Sequence, residues 1–70
     1  MELRVSDPAL LPDLDAHLRR MGCVTESIGE DRLRVEIPDV QLRDAAELEL
    51  DLYLRLWEVT MPLGRAERVD

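Results

Sequence analysis

Residues 42–60, LRDAAELELDLYLRLWEVT, decide how this chain is read. Leu48, Leu50, Leu52, Leu54 and Leu56 alternate strictly with other residues, and a period of two is the pattern of a half-buried strand. Length and composition point the other way. Nineteen residues rich in Leu, Glu, Ala and Arg exceed the usual strand of about 5–6 residues, and those residue types favour helix. On a helical wheel Arg43, Asp44, Glu47, Asp51, Arg55 and Glu58 cluster on one face, so the spacing predicts a helix from Leu42 to Thr60. Its apolar arc holds Leu42, Ala45, Ala46, Leu48, Leu50, Leu52, Tyr53, Leu56, Trp57 and Val59, more than one packing surface needs. The surplus leaves Leu50, Tyr53, Leu54 or Trp57 for a second contact, and large rigid side chains of this kind dominate interface energetics.

Glu49 projects into that arc beside Ala45, Tyr53 and Leu56. A buried carboxylate needs a partner. Three readings stay open: an arginine from elsewhere in the fold such as Arg4 or Arg68, a place in an interface, or a part in a ligand pocket. A different rotation of the helix would expose it instead.

Upstream, Arg32 to Ile37 sets Leu33, Val35 and Ile37 against Arg32, Arg34 and Glu36, the alternation of a strand with one face in the core and one in water. Cys23 to Ile28 is a second short β-type run, and Gly29-Glu30-Asp31 between them suits an antiparallel hairpin. Leu10, Leu11, Leu14, Leu18 and Met21 form one stripe at three- and four-residue spacings, with Asp13, Asp15, Arg19 and Arg20 on the other side. Ser6 and Asp7 offer caps for this first helix, and Pro8 suits a first turn, where its missing N–H has no partner to lose. Pro12 argues that the regular helix begins a turn late. Gly22 ends it at a position able to take positive φ, just after the cationic pair Arg19 and Arg20. Glu2 to Ser6 alternates as a short strand, and beyond the breakers Pro62 and Gly64 the segment Ala66 to Val69 is long enough for a closing edge strand. The expected fold is α+β: a β-α-β-β-α-β sandwich of ferredoxin-like type, two helices on one face of a four-stranded antiparallel sheet. Residues 1–70 make a single domain, without repeat, linker or low-complexity segment.

So short a chain buries only roughly 60% of the surface its unfolded form exposes, which favours partner burial, most simply homodimerisation. One cysteine, Cys23, cannot make an intramolecular bridge, and secreted domains of this size carry several pairs. The first residues lack a basic region followed by an apolar run, and nowhere do 18 apolar residues run together. A cytoplasmic address is expected, with no membrane partner. The net charge of −7 comes from nine arginines, no lysine and sixteen carboxylates, a balance that repels phosphate backbones and anionic lipid heads. Absence of Lys, Asn and Phe with abundant Arg and Leu looks like the codon bias of a GC-rich genome and carries no function.

Chemistry-bearing residues are few. His17, the sole histidine, lies at the margin of the first helix's stripe, where it is a boundary residue, a pH-sensitive contact or a ligand contact. Neither it nor Cys23 has companions at metal-ligand spacing, so no metal and no cofactor are expected. Cys23 follows a helix C-terminus, whose partial negative charge disfavours a thiolate, and reads as a small buried strand residue. Arg4, Arg32 and Arg34 share the outer sheet face with Glu2 and Glu36, a mixed-charge surface serving solubility or, more sharply, an anionic or acidic partner. RNA-binding modules of this architecture display aromatic side chains there for base stacking, and these strands hold none, which argues against nucleic acid.

The order of elements, with Val5-Ser6-Asp7-Pro8-Ala9-Leu10-Leu11 running into a helix and Gly22-Cys23-Val24-Thr25-Glu26-Ser27-Ile28 after it, resembles a ferredoxin-like domain of the ACT type. That resemblance implies binding of amino acids or similar small effectors, usually at dimer interfaces. It implies a ligand site at Asp7, Ala9, Leu10 and Leu11, where backbone N–H groups at a helix N-terminus would hold a carboxylate. Ala9 stands where the family often places glycine, and Asp7 sets a negative charge against an anionic ligand. Heavy-metal-binding domains share the topology, but their paired-cysteine loop is absent.

Two functions are therefore expected in order. The first is a non-catalytic regulatory or protein-interaction domain that homodimerises through the second helix or a sheet edge, with Glu49, Leu50, Tyr53, Leu54 and Trp57 at the interface. The second is a small-molecule sensor of the ACT kind. An enzyme ranks third, since acid–base chemistry would need a second positioned group near Glu49.

Overall fold

The computed structural model describes residues 1–69; Asp70, the last residue of the expected domain, lies outside them. Strand β1 (Glu2–Val5) leads through a 3₁₀ turn at Pro8–Leu10 into helix α1 (Leu11–Arg20), followed by β2 (Val24–Ser27), β3 (Arg32–Glu36), helix α2 (Arg43–Thr60) and β4 (Ala66–Arg68). The strands form one open, wholly antiparallel sheet in the order β2-β3-β1-β4.

Local chemistry explains the boundaries. Asp7 accepts the Ala9 N–H through Oδ1 at 3.0 Å, so the 3₁₀ turn absorbs the first residues. α1 then starts at Leu11 with Pro12 in its opening turn, a turn later than the Ser6 and Asp7 caps alone would give. At its far end Gly22 takes φ of 94°, its N–H reaches the Arg19 carbonyl at 3.0 Å, and the Cys23 N–H reaches the Leu18 carbonyl at 3.0 Å. These two bonds make the paired C-terminal cap that positive-φ glycine permits. They also correct the expected start of β2: the Cys23 amide is spent on the helix, and pairing begins at Val24. The other strands likewise stop one residue short of Ser6, Ile37 and Val69, although the Ser6 and Val69 N–H groups still reach the Arg65 and Glu2 carbonyls at 2.8 and 3.1 Å.

Leu3 pairs with Leu33 and Thr25 with Val35, so β1 and β3 turn Leu3, Val5, Leu33 and Val35 toward the helices. Leu11, Leu14 and Leu18 of α1, Cys23, and Leu50, Leu54 and Trp57 of α2 close the same core. Both helices thus cover one sheet face. The opposite face carries Glu2, Arg4, Glu26, Arg32, Arg34, Glu36 and Glu67, with Val24 the one apolar member. Arg34 pairs with Glu26 at 3.0 Å and lies 3.9 Å from Glu2, and Arg4 pairs with Glu67 at 2.5 Å. This exposed face is a mixed-charge surface, as expected of Arg4, Arg32, Arg34, Glu2 and Glu36, with Glu26 and Glu67 added by the edge strands and the like charges of Arg4 and Arg32 directly opposite each other.

Candidate functional site

α2 resolves the leucine alternation by turning about 100° per residue. Leu50 and Leu54, with Ala46 and Trp57, point into the core, while Leu48, Leu52 and Leu56, with Val59, point away from it. The outward residues are far from covered: Leu48 is 72% exposed, Leu52 55%, Leu56 47% and Val59 77%. They form a continuous apolar stripe on the solvent side of the helix layer. This corrects the expected interface set, because Leu50, Leu54 and Trp57 are core residues of the chain itself. The helix rotation that buries Trp57 hands the surface to the other three leucines.

Three contacts set that rotation. The Trp57 indole Nε1–H donates to Asp13 Oδ2 at 2.8 Å. His17 is buried in α1, and its Nε2 lies 2.9 Å from the Tyr53 carbonyl oxygen, which can only accept, so the ring carries its proton on Nε2. His17 is therefore a structural tie between the helices. On the other flank Arg68 of β4 reaches Glu47 at 3.1 Å and Asp51 at 3.2 Å, with the Asp51 bond first in holding its guanidinium more firmly protonated. Arg43 and Glu47 pair along the helix at 3.1 Å.

Glu49 and Tyr53 are half-buried on the side of α2 that faces α1. The Tyr53 hydroxyl donates to Glu49 Oε2 at 3.1 Å. Of the two arginines considered for Glu49, Arg68 goes to Glu47 and Asp51, and Arg4 goes to Glu67. Burial, then the Glu49 hydrogen bond and charge, push the Tyr53 phenol above its ordinary range. Burial first, and Glu49 second, raise the Cys23 thiol. Cys23 is thus free and buried, as its sequence position implies, and it is poorly suited to act as a thiolate nucleophile.

The loop expected to hold a ligand is filled from within. Asp7 occupies the Ala9 N–H, Leu11 is in the core, and Leu10 packs against it. A side chain on Gly64 would meet Leu10 Cδ1 at 3.2 Å, so that flank is closed by the segment after α2. A cleft of about 450 Å³ lies nearby, lined by Arg4, Val5, Ser6, Arg65, Ala66 and Glu67. Ser6 Oγ accepts the Arg65 N–H at 3.0 Å, and the Arg65 guanidinium bonds the Pro62 and Gly64 carbonyls at 3.1 and 2.7 Å. Ser6, Arg65 and Glu67 were not legible as neighbours, because the pairing of β1 with β4 across the chain brings them together. Among the described residues, no three His, Cys, Asp or Glu side chains converge as a metal centre requires, and no helix is long and apolar enough to cross a membrane. Comparison with protein-family models, with curated proteins and with solved structures finds no match to this chain.

Proposed function

We propose that the chain is a small non-catalytic interaction domain, regulatory in use, that works by self-association through the outward stripe of α2. One observation carries this reading: four large aliphatic side chains stand in a row on a helix whose opposite side already fills the core. A contiguous apolar patch of about 400 Å² is as large as the largest on a typical monomer, and patches of that size are often functional. Each of these side chains has on the order of 100 Å² to hide. Two copies together reach about 800 Å², the size of a weak, concentration-dependent interface. Glu47, Glu49, Asp51 and Glu58 rim the stripe, which disfavours an anionic membrane surface as the alternative cover. The strand order β2-β3-β1-β4, with both helices on one face, supports reading the sandwich as ferredoxin-like. A lone buried thiol supports a cytoplasmic setting within the same proposal.

The test is solution mass by sedimentation from micromolar to millimolar protein, for the chain itself and for Leu52→Glu. A dimer that Leu52→Glu converts to a folded monomer supports the reading. A chain that stays monomeric throughout overturns it.

A second reading, the ACT-like sensor, is favoured by the cleft beside β4, lined by Arg4 and Glu67, whose mutual ion pair an amino-acid-like zwitterion would open to match both charges. A thermal-shift screen of amino acids and related metabolites tests it. A ligand at a hundred times its Kd adds about 2.7 kcal/mol, a shift of many degrees in so small a domain. A flat screen removes this reading.

A further inference from the structure

We infer that two copies of α2 cross antiparallel about a twofold axis at Leu52, a step that rests on the self-association proposed above. The exposed row, extended by half-buried Ala45, is a palindrome. Ala45, Leu48, Leu52, Leu56 and Val59 are spaced by three, four, four and three residues, so reversing the helix maps the row onto itself with Leu52 fixed. An isologous contact has that requirement: wherever one residue meets a second, the second meets the first. Leu48 then packs on Leu56 of the partner subunit, and the ends of the row, Ala45 and Val59, map onto each other. A foreign partner imposes no such symmetry.

The row also suits a steep crossing. Leu48, Leu52 and Leu56 form an i±4 ridge, and two such ridges interdigitate at about 50°. That angle carries the helix ends apart, separating the acids near them, Asp44 and Glu58, from their symmetry mates. Beside the axis the charges are complementary. Arg55 is exposed and has no partner among the described residues, and Asp51 stands one turn away on the same flank. Reversal about Leu52 brings the Arg55 of each copy toward the Asp51 of the other, supplying the counter-charge that Arg55 lacks within its own chain.

The geometry is testable by disulfide trapping. Helices packed about 8–10 Å apart, with Cα atoms at about 2.3 Å radius, bring the two Leu52 positions to about 3.4–5.4 Å, and the upper part of that range is within disulfide reach. Leu52→Cys, Leu48→Cys and Leu56→Cys are made in a Cys23→Ala background, with a parallel set that keeps the buried Cys23 in case that change impairs folding. Under mild oxidation Leu52→Cys alone gives a covalent dimer at least tenfold faster than Leu48→Cys or Leu56→Cys alone, and an equimolar mixture of those two gives the mixed dimer. A dimeric mass with no preference for Leu52→Cys overturns the axis and leaves self-association standing. Fast trapping of Leu48→Cys by itself means a parallel pair and overturns it likewise. A chain monomeric at millimolar concentration removes both readings, and a monomer that gains mass only with a basic amphipathic helical peptide assigns the stripe to a foreign partner and overturns the axis.

Discussion

The indole N–H of Trp57 donates to the Asp13 carboxylate at 2.8 Å, joining residues 44 apart in sequence across the two helices. Trp57 is almost wholly buried, and its ring can reach Asp13 only with Leu50 and Leu54 turned inward beside it. The bond therefore selects which leucines of the alternating run become core. Asp13→Ala leaves a buried donor unpaired and lowers stability by about 1 kcal/mol, since the carboxylate is itself exposed. In a domain of this size that is a fall in Tm of roughly 4–8 °C, read by calorimetry or circular dichroism. An unchanged Tm would show that the bond does not set the helix rotation.

Gly64 supports the same ring. A Cβ there would stand 2.8 Å from Trp57 Cη2 and 3.1 Å from Cζ3, closer than carbon atoms pack. Because the indole is fixed by the core on one side and Asp13 on the other, it cannot yield. Gly64→Ala is expected to cost about 1–3 kcal/mol through overpacking, seen as a lower urea midpoint with an unaltered m-value. Gly22→Ala has open space around the new methyl and is expected to cost about 1 kcal/mol for a different reason, the positive φ of 94°. Equal stability of Gly64→Ala and the parent would refute the close packing at Trp57.

Much of the fold was legible because its signals are local. Pro12 announces a late α1, Gly22 announces its end, and the alternation of Arg32 to Glu36 sets the sheet's two faces without help from distant residues. The rotation of α2 was not legible. Leu50 and Leu54 on one side, and Leu48, Leu52 and Leu56 on the other, are equivalent on a wheel, and only tertiary partners at Asp13, His17 and Arg68 break the tie. The same reason hid the site: the anchors read from residue size, Trp57 above all, are the ones the core claims first. Glu49 was legible as odd but not in its partner, since Tyr53 one turn on is as near as any arginine the fold might have supplied.

Glu49 makes Tyr53, the sole tyrosine, a spectroscopic reporter. Burial first and the carboxylate second disfavour the phenolate, so its titration near 295 nm has a midpoint above the ordinary value of about 10. The folded pKa exceeds the unfolded one, so the stabilising contribution is whole below about pH 10 and is lost as the pH rises through the folded value. Glu49→Gln removes the charge and keeps a hydrogen-bond acceptor, and is expected to lower the Tyr53 midpoint while leaving the part due to burial. The Cys23 thiol moves in the same direction, with burial again the larger cause, so alkylation at pH 8 is slow in the parent and somewhat faster in Glu49→Gln. If neither group responds to Glu49→Gln, the carboxylate does not govern this side of α2.

Association through the outer stripe must appear in thermal stability as well as in mass. If folded copies pair and unfolded ones do not, Tm rises with protein concentration, because mass action draws the folded state into the dimer. The parent chain is expected to gain several degrees between micromolar and millimolar protein. Leu52→Glu removes a side chain that is more than half exposed and outside the core, so its Tm at low concentration stays close to the parent's while its concentration dependence disappears. Trp57→Glu is the contrast, since a charge in place of a ring that fills the core unfolds the domain at every concentration. Arg55→Glu lies between them, with fold and Tm at low concentration kept and the dimer weakened a few-fold, an effect that fades at high salt because an exposed pair contributes under about 1 kcal/mol. A parent Tm independent of concentration over that range would remove the interface at the stripe, however apolar the row of leucines.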